Sequence, residues 1–223
     1  MDETIKAEEG EIFDIELEED FLEKNRKIAE ENVSLLKKYG TIAIDIMGSI
    51  GSGKTSLIER LIERLKTKYR IAVINGDLTT SIDSDIIKRH GIKVIQINTG
   101  KECHLDANLV RKALRKIDIK DINILFIENV GNLICPADFP LGADKRIVVI
   151  SVTEGPYMVV KHPFIFAEAS VVVINKVDLA KAMDVDVKKL EDDVKSINPS
   201  AKVVKTNCRT GEGISEVIKA LNL

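Results

Sequence analysis

Eight consecutive residues, Gly48-Ser-Ile-Gly-Ser-Gly53-Lys54-Thr55, satisfy the pattern G-x-x-x-x-G-K-[ST] in full. Glycines at 48, 51 and 53 permit a tight turn whose N–H groups, with Ser52 among them, point inward at phosphate oxygens. A helix starting there adds the positive end of its dipole. Lys54 has the reach for β- and γ-phosphates, and the Thr55 hydroxyl is a ligand for Mg²⁺. Context gives the match its weight: the apolar run from Thr41 to Met47 reads as a strand, and an amphipathic stretch to about Lys66 reads as a helix.

Two acids close later apolar runs. Asp77 follows Asn75-Gly76 at the end of the run from Ile71, where it serves either as a Mg²⁺ ligand through water or as a turn residue. The run Ile124 to Ile127 delivers Glu128, followed by Asn129, Val130 and Gly131. This has the form of a Walker B strand with Glu where Asp is commoner. The longer acid favours a water-mediated metal contact or a part in hydrolysis over direct ligation, and the Gly131 N–H is placed for a γ-phosphate. Lys54, Asp77 and Glu128 are thus the expected catalytic set.

A third run ends in Asn175-Lys176-Val177-Asp178, an N-K-x-D. A carboxylate at its end accepts two hydrogen bonds from guanine that adenine cannot offer, and leaving it unpaired is costly. Asn175 braces neighbouring loops and the Lys176 stem covers the purine plane. The expected ligands are GTP and GDP. The loop from Thr206 to Gly211 is the expected final base-contacting segment, with Cys208 structural in it.

Cys103 and His104 are adjacent, and Cys135 lies four residues beyond Gly131. Two sulfurs and an imidazole suit Zn²⁺, Ni²⁺ or Cu and not Mg²⁺ or Ca²⁺. The competing reading is two buried cysteines and a helix-capping histidine. Both segments follow carboxyl ends of expected parallel strands, on the nucleotide edge of the sheet. Cys103 is expected at a helix start, whose field favours thiolate. Three ligands fall short of a closed tetrahedral site, which implies an exchangeable metal, a solvent ligand or a second chain.

The elements that must carry these residues alternate strand and helix from residue 41 to the end, with most strands continuous apolar runs, as expected when helices cover both faces. The fold class is α/β, three-layered, with a mostly parallel sheet flanked by helices. Upstream, Phe13, Ile15 and Leu17 alternate with Asp14 and Glu16 as in a short strand, and Asp20 is placed to cap a helix reaching about Lys38. Its stripe of Phe21, Ile28, Leu35, Leu22, Ala29 and Leu36 needs a partner surface, on its own domain or on a second chain. Residues 1–39 therefore form an arm and 40–223 one nucleotide-binding domain. A length of 223 residues leaves little room for a second full domain, and 44% hydrophobic residues exclude disorder. A net charge of -3 argues against a nucleic-acid partner. No apolar run is long enough to span a membrane and the amino terminus is acidic, so a cytoplasmic location is expected. Three cysteines are an odd number for a disulfide framework.

Taken together, Gly48 to Thr55, Asn75-Gly76-Asp77, Cys103-His104-Leu105-Asp106-Ala107, Glu128-Asn-Val-Gly-Asn-Leu-Ile-Cys-Pro136, Ser151-Val-Thr-Glu-Gly155 and Asn175 to Asp178 resemble the HypB family of hydrogenase nickel-incorporation P-loop GTPases. The resemblance covers most of the chain after residue 40. It implies a metallochaperone that hydrolyses GTP during [NiFe] hydrogenase maturation and dimerises with nucleotide, its partners being other maturation proteins and the hydrogenase large subunit. It also implies Cys103, His104 and Cys135 as ligands for nickel or zinc. No cysteine or histidine precedes His90, so the amino-terminal nickel motifs of some members are not expected here. A urease-type accessory GTPase, a P-loop kinase and a switch without metal cargo are the alternatives.

Overall fold

The computed structural model describes residues 12–77, 82–100 and 102–223. The first eleven residues of the expected arm lie outside them. Helix α1 spans Ile12–Lys38. Strands β1 (Ile42–Met47), β2 (Ile71–Asp77), β3 (Lys93–Asn98), β4 (Ile124–Glu128), β5 (Lys145–Ser151), β6 (Val171–Asn175) and β7 (Lys202–Lys205) form one sheet in the order β3-β2-β4-β1-β5-β6-β7. Every pairing is parallel. The connections carry α2 (Lys54–Leu65), α3 (Ile82–Lys88), α4 (Ala107–Leu114), α5 (Met158–Lys161), α6 (Pro163–Ala167) and α7 (Val187–Ile197), and α8 (Ile214–Ala220) closes the chain.

The short strand expected at 13–17 is instead the first turns of α1. Alternation over five residues fits a period of two, but Glu and Leu favour helix and continue without a break through Asp20. Asp20 accordingly lies inside the helix and caps nothing.

On one sheet face Ile44, Ile46, Phe126 and Val149 pack beneath α2 and α8. The opposite face holds two apolar blocks, one around Ile74, Leu125 and Leu36 of α1, the other around Val148, Val172 and Phe166. Between these blocks the same face carries Asp45 of β1 and Arg146 of β5, whose charged atoms stand 4.0 Å apart. The strand order reverses direction beside β1, and the carboxyl ends of β1, β2, β4 and β6 open onto a single edge, where ligands of such sheets bind. Among the described residues no helix is long and apolar enough to cross a membrane.

Candidate nucleotide and metal sites

The loop after β1 turns through left-handed backbone at Gly51 and Gly53 and delivers Lys54 and Thr55 at the first turn of α2. Gly53 is needed for space as well as angle, since a Cβ there would lie 2.2 Å from Asn175 Nδ2. Lys54 is buried, and its ammonium donates to the carbonyls of Gly48 and Ser49 at 3.0 Å each. Burial lowers its pKa against the pull of Glu128 and other nearby carboxylates. Ser52 Oγ is buried with no hydrogen-bond partner among the described residues, which fits a loop built to receive phosphate oxygens.

Glu128 at the end of β4 is fully enclosed. The Thr55 hydroxyl donates to its Oε1 at 2.7 Å and Asn75 Nδ2 to its Oε2 at 2.8 Å. Burial pushes its carboxyl up to about 7, although Lys54 and these donors oppose the rise. Asp77 ends β2 and lines the same cleft, of about 670 Å³, with Lys54, Thr55, Glu128 and Gly131. A hydroxyl and two carboxylates facing one space are the donor set of a hard divalent cation. Gly131 lies against the phosphate loop, where a Cβ would be 2.4 Å from Ile50. Asn132 spends its Oδ1 on the Ile134 N–H at 2.8 Å.

A second cleft, of about 510 Å³, adjoins the first at Gly53 and contains Asn175, Lys176, Asp178, Cys208 and Arg209. Asn175 Nδ2 donates to the Ser52 carbonyl at 2.9 Å, while its Oδ1 accepts from the Thr206 hydroxyl and the Cys208 N–H. This side chain therefore clamps the phosphate loop to the last base loop. Lys176, held in left-handed backbone, donates to the Gly51 carbonyl at 2.7 Å. Arg60 of α2 fixes the same base loop from below through the carbonyls of Cys208 and Arg209. Cys208 is buried and its thiol is raised by desolvation, the opposite of an activated nucleophile.

Cys103, His104 and Cys135 converge, with ligand atoms all within 4.8 Å of one another. The two sulfurs are 2.7 Å apart and Cys103 Sγ is 3.9 Å from His104 Nδ1. Tetrahedral bonds of ordinary metal–sulfur length would part the sulfurs to roughly 3.7 Å, an adjustment of rotamer size. Burial keeps the His104 pKa below its usual value, and burial with the facing Cys103 raises that of Cys135. A metal would find a neutral imidazole and would displace the Cys135 proton. One expectation needs correction. Helix α4 starts only at Ala107, and the Asp106 side chain caps it by accepting from the Leu109 N–H. Cys103 stands outside that cap, so the helix field falls on Asp106.

Asn129 joins the two sites and was not apparent in the sequence. Its Oδ1 accepts from the Leu105 N–H at 3.1 Å and the Val130 N–H at 3.0 Å, and its Nδ2 faces Asp45 at 3.4 Å. Asn75 was missed likewise. In both cases the signal was an amide in an otherwise apolar strand end. A third cleft, of about 380 Å³, lies between α1 and β5, is lined by Asp45 and Arg146, and holds none of the phosphate or base residues.

Parallel sheet, phosphate loop and N-K-x-D strand end define a P-loop nucleotide-binding protein, here with a Cys-His-Cys cluster beside the nucleotide edge. A family model described as CobW/HypB/UreG, nucleotide-binding domain, matches residues 42–205, and the chain belongs to that family. It is 53% identical over 205 residues to the probable hydrogenase maturation factor HypB of Methanocaldococcus jannaschii, covering 92% of this chain and 93% of that one. The crystal structure of HypB from Archaeoglobus fulgidus superposes with a TM-score of 0.84 at 49% identity, covering 89% of this chain and 97% of the other. HypB from Helicobacter pylori, crystallised in complex with nickel, gives a TM-score of 0.84 at 32% identity over 89% and 94% of the two chains. The resemblance read from the motifs and the expected fold class both hold.

Proposed function

We propose that the chain is a GTP-hydrolysing carrier of nickel or zinc that couples nucleotide state to metal delivery during [NiFe] hydrogenase maturation. One observation carries the reading: three ligands from two segments 32 residues apart in sequence close into a cluster, and a single buried amide, Asn129, links the Cys103–His104 segment to the loop after Glu128. The hydrogenase maturation role of the 53% identical relative and the nickel of the Helicobacter pylori structure support the cargo and its destination.

Asn175 and the 206–211 loop orient guanine, whose N1 and 2-amino hydrogens go to Asp178. The Lys54 ammonium leaves the Gly48 and Ser49 carbonyls for the β- and γ-phosphate oxygens, joined by loop N–H groups and the Gly131 N–H. Water attacks the γ-phosphorus in line and GDP leaves, with phosphate as the second product. Thr55, with Asp77 and Glu128 directly or through water, would hold Mg²⁺, which would neutralise phosphate charge. With Asn132 folded onto its own loop, no side chain after Gly131 orients the water, so intrinsic turnover is slow and a second chain or partner accelerates it. Three ligands leave a tetrahedral metal position open for solvent or a second copy, and exposed Ile50 and Ile134 beside Gly131 and Cys135 offer apolar surface for a nucleotide-dependent homodimer. The recipients are hydrogenase maturation proteins and the large subunit, in the cytoplasm, with no nucleic acid and no membrane involved.

The test is metal content and mass in solution with GDP and with a non-hydrolysable GTP analogue, together with phosphate release. Lys54→Ala should abolish release, and a Cys103→Ala/Cys135→Ala double variant should lose the metal. Retention of the metal by the double variant overturns the cargo, and undiminished phosphate release in Lys54→Ala overturns the enzyme.

A further inference from the structure

Helix α1 touches both segments that bring metal ligands, and it does so with buried polar groups. Asn25 Oδ1 accepts from the Ala107 N–H at 2.7 Å, three residues beyond His104, while its Nδ2 donates to the Pro140 carbonyl at 2.9 Å, five residues beyond Cys135. Two turns along the helix, Asn32 Nδ2 donates to the Ala107 carbonyl at 2.9 Å and the Leu141 carbonyl at 3.0 Å. Both asparagines are at most 5% exposed. On the near side the segments are joined directly by Asn129, six residues before Cys135, which accepts from the Leu105 N–H at 3.1 Å. Beyond the ligands, at Ala107, Pro140 and Leu141, their polar connection runs through α1.

The helix also reaches a ligand itself. Phe139 stacks on the His104 ring with centroids 3.8 Å apart and planes 29° apart, and Phe21 of α1 meets Phe139 edge-on at 6.0 Å. The stack limits rotation of the imidazole and leaves its Nδ1 on the side of Cys103. Close approach of the helix is prepared by Gly142, where a Cβ would be 2.5 Å from the Ala29 carbonyl oxygen and 2.6 Å from Asn32.

On the reading of Cys103, His104 and Cys135 as the metal site, we infer that α1 is the clamp that preorganises it: Asn25 and Asn32 set the spacing of the two ligand-bearing segments, and Phe139, backed by Phe21, sets the His104 ring. None of the four touches the metal, so they are positioning residues. Fixing ligands before the metal arrives removes an ordering cost from binding, and loss of such supporting contacts commonly weakens metal affinity by about 10–100-fold. A helix bound by a few side chains is also a lever, since lifting it releases both segments together and lowers affinity without change at any ligand.

The experiment uses the full chain with Mg²⁺ and GDP, and reads Ni²⁺ affinity by competition with a chromophoric chelator, the thiolate-to-nickel charge-transfer band, GDP affinity and the thermal unfolding midpoint. Asn25→Ala and Phe139→Ala should each weaken Ni²⁺ binding by about tenfold or more and shift or bleach the band, with GDP affinity within twofold of the parent. Phe139→Tyr, which keeps the ring, should restore both metal readouts. Phe21→Ala, at a half-exposed position, should cost a few-fold in Ni²⁺ affinity with the midpoint little moved. Folded Asn25→Ala and Phe139→Ala proteins with parental affinity and band would overturn the clamp. The same holds if Ni²⁺ and GDP affinities fall together, as a general loss of structure would make them. Cys135→Ser run alongside separates the two claims: if it too binds Ni²⁺ as the parent does, the metal-site reading fails first and takes the clamp with it.

Discussion

Two carboxylates show how position in this sheet decides what an acid does. Asp45 sits in the middle of β1, enclosed, with Arg146 as its nearest cation and Asn129 as a weak donor. Desolvation outweighs both and raises its pKa from 3.8 to about 6. The native state thus keeps a proton that the unfolded chain releases between those values, so this group's contribution to stability is greatest below pH 4, declines as pH rises to about 6 and is level beyond. Asp45→Asn removes the titration while leaving Arg146 its pairing with Glu168. Urea unfolding of the two proteins should therefore show their stability difference shifting toward the variant by on the order of 2–3 kcal/mol between pH 4 and 7. A difference independent of pH would mean that Asp45 stays ionised throughout. Asp178, by contrast, stands in the open base cleft among Lys176 and Arg209. If Asp178 reads guanine as proposed, Asp178→Ala removes two charge-assisted hydrogen bonds and should weaken GDP binding by roughly 10²–10³-fold with ATP binding unchanged. Equal loss for both nucleotides would assign the residue a structural task.

Among the elements, the docking of α1 depends most on a single residue. Gly142 adopts φ +92 directly beneath the helix, where a side chain has neither the backbone angle nor the room. Gly142→Ala should cost about 2–3 kcal/mol of stability by chemical denaturation and should speed amide exchange in α1 and in residues 138–142, with the strands little affected. Unchanged protection of α1 would show that the helix adapts around the methyl group. The strands were legible in the sequence because a sheet covered on both faces needs unbroken apolar runs, and the phosphate and base motifs because their spacing is fixed by ligand shape. Helix α1 was legible only in part. Its apolar stripe was plain, but what holds it down includes Asn25 and Asn32, and a polar residue seven positions from its like carries no sign of the distant carbonyls it will meet. His104 with Phe139, and Asn129 with Leu105, were hidden for the same reason: each contact joins segments separated in sequence by more than twenty residues. The stretch at 13–17 was misread because a period of two over five residues cannot outweigh the helix formers that follow it.

Across the whole molecule the question is whether nucleotide and metal sense one another. Glu128 holds Thr55 and Asn75, and the next residue, Asn129, holds the Leu105 N–H in the segment carrying Cys103 and His104. On the other side of the same loop, Gly131 rests on Ile50 of the phosphate loop and leads within four residues to Cys135. A γ-phosphate that draws Thr55 away from Glu128 and Gly131 away from Ile50 therefore pulls on both ligand segments at once, by two short covalent tethers and one hydrogen bond. Binding free energies linked in this way are reciprocal, and coupling between sites in a protein typically amounts to about 1–3 kcal/mol, or roughly 5–150-fold. We expect Ni²⁺ affinity measured with GDP and with a non-hydrolysable GTP analogue to differ within that range, and the ratio of the two nucleotide affinities to change by the same factor when Ni²⁺ is added. Asn129→Ala should shrink both ratios toward one while each ligand still binds, because the polar contact between the segments is gone and the Gly131 tether alone remains. Identical metal affinity in the two nucleotide states of the parent protein would sink the coupling, leaving two sites that share a sheet edge and nothing else. Different affinities that Asn129→Ala leaves intact would move the route entirely to the Gly131–Cys135 tether.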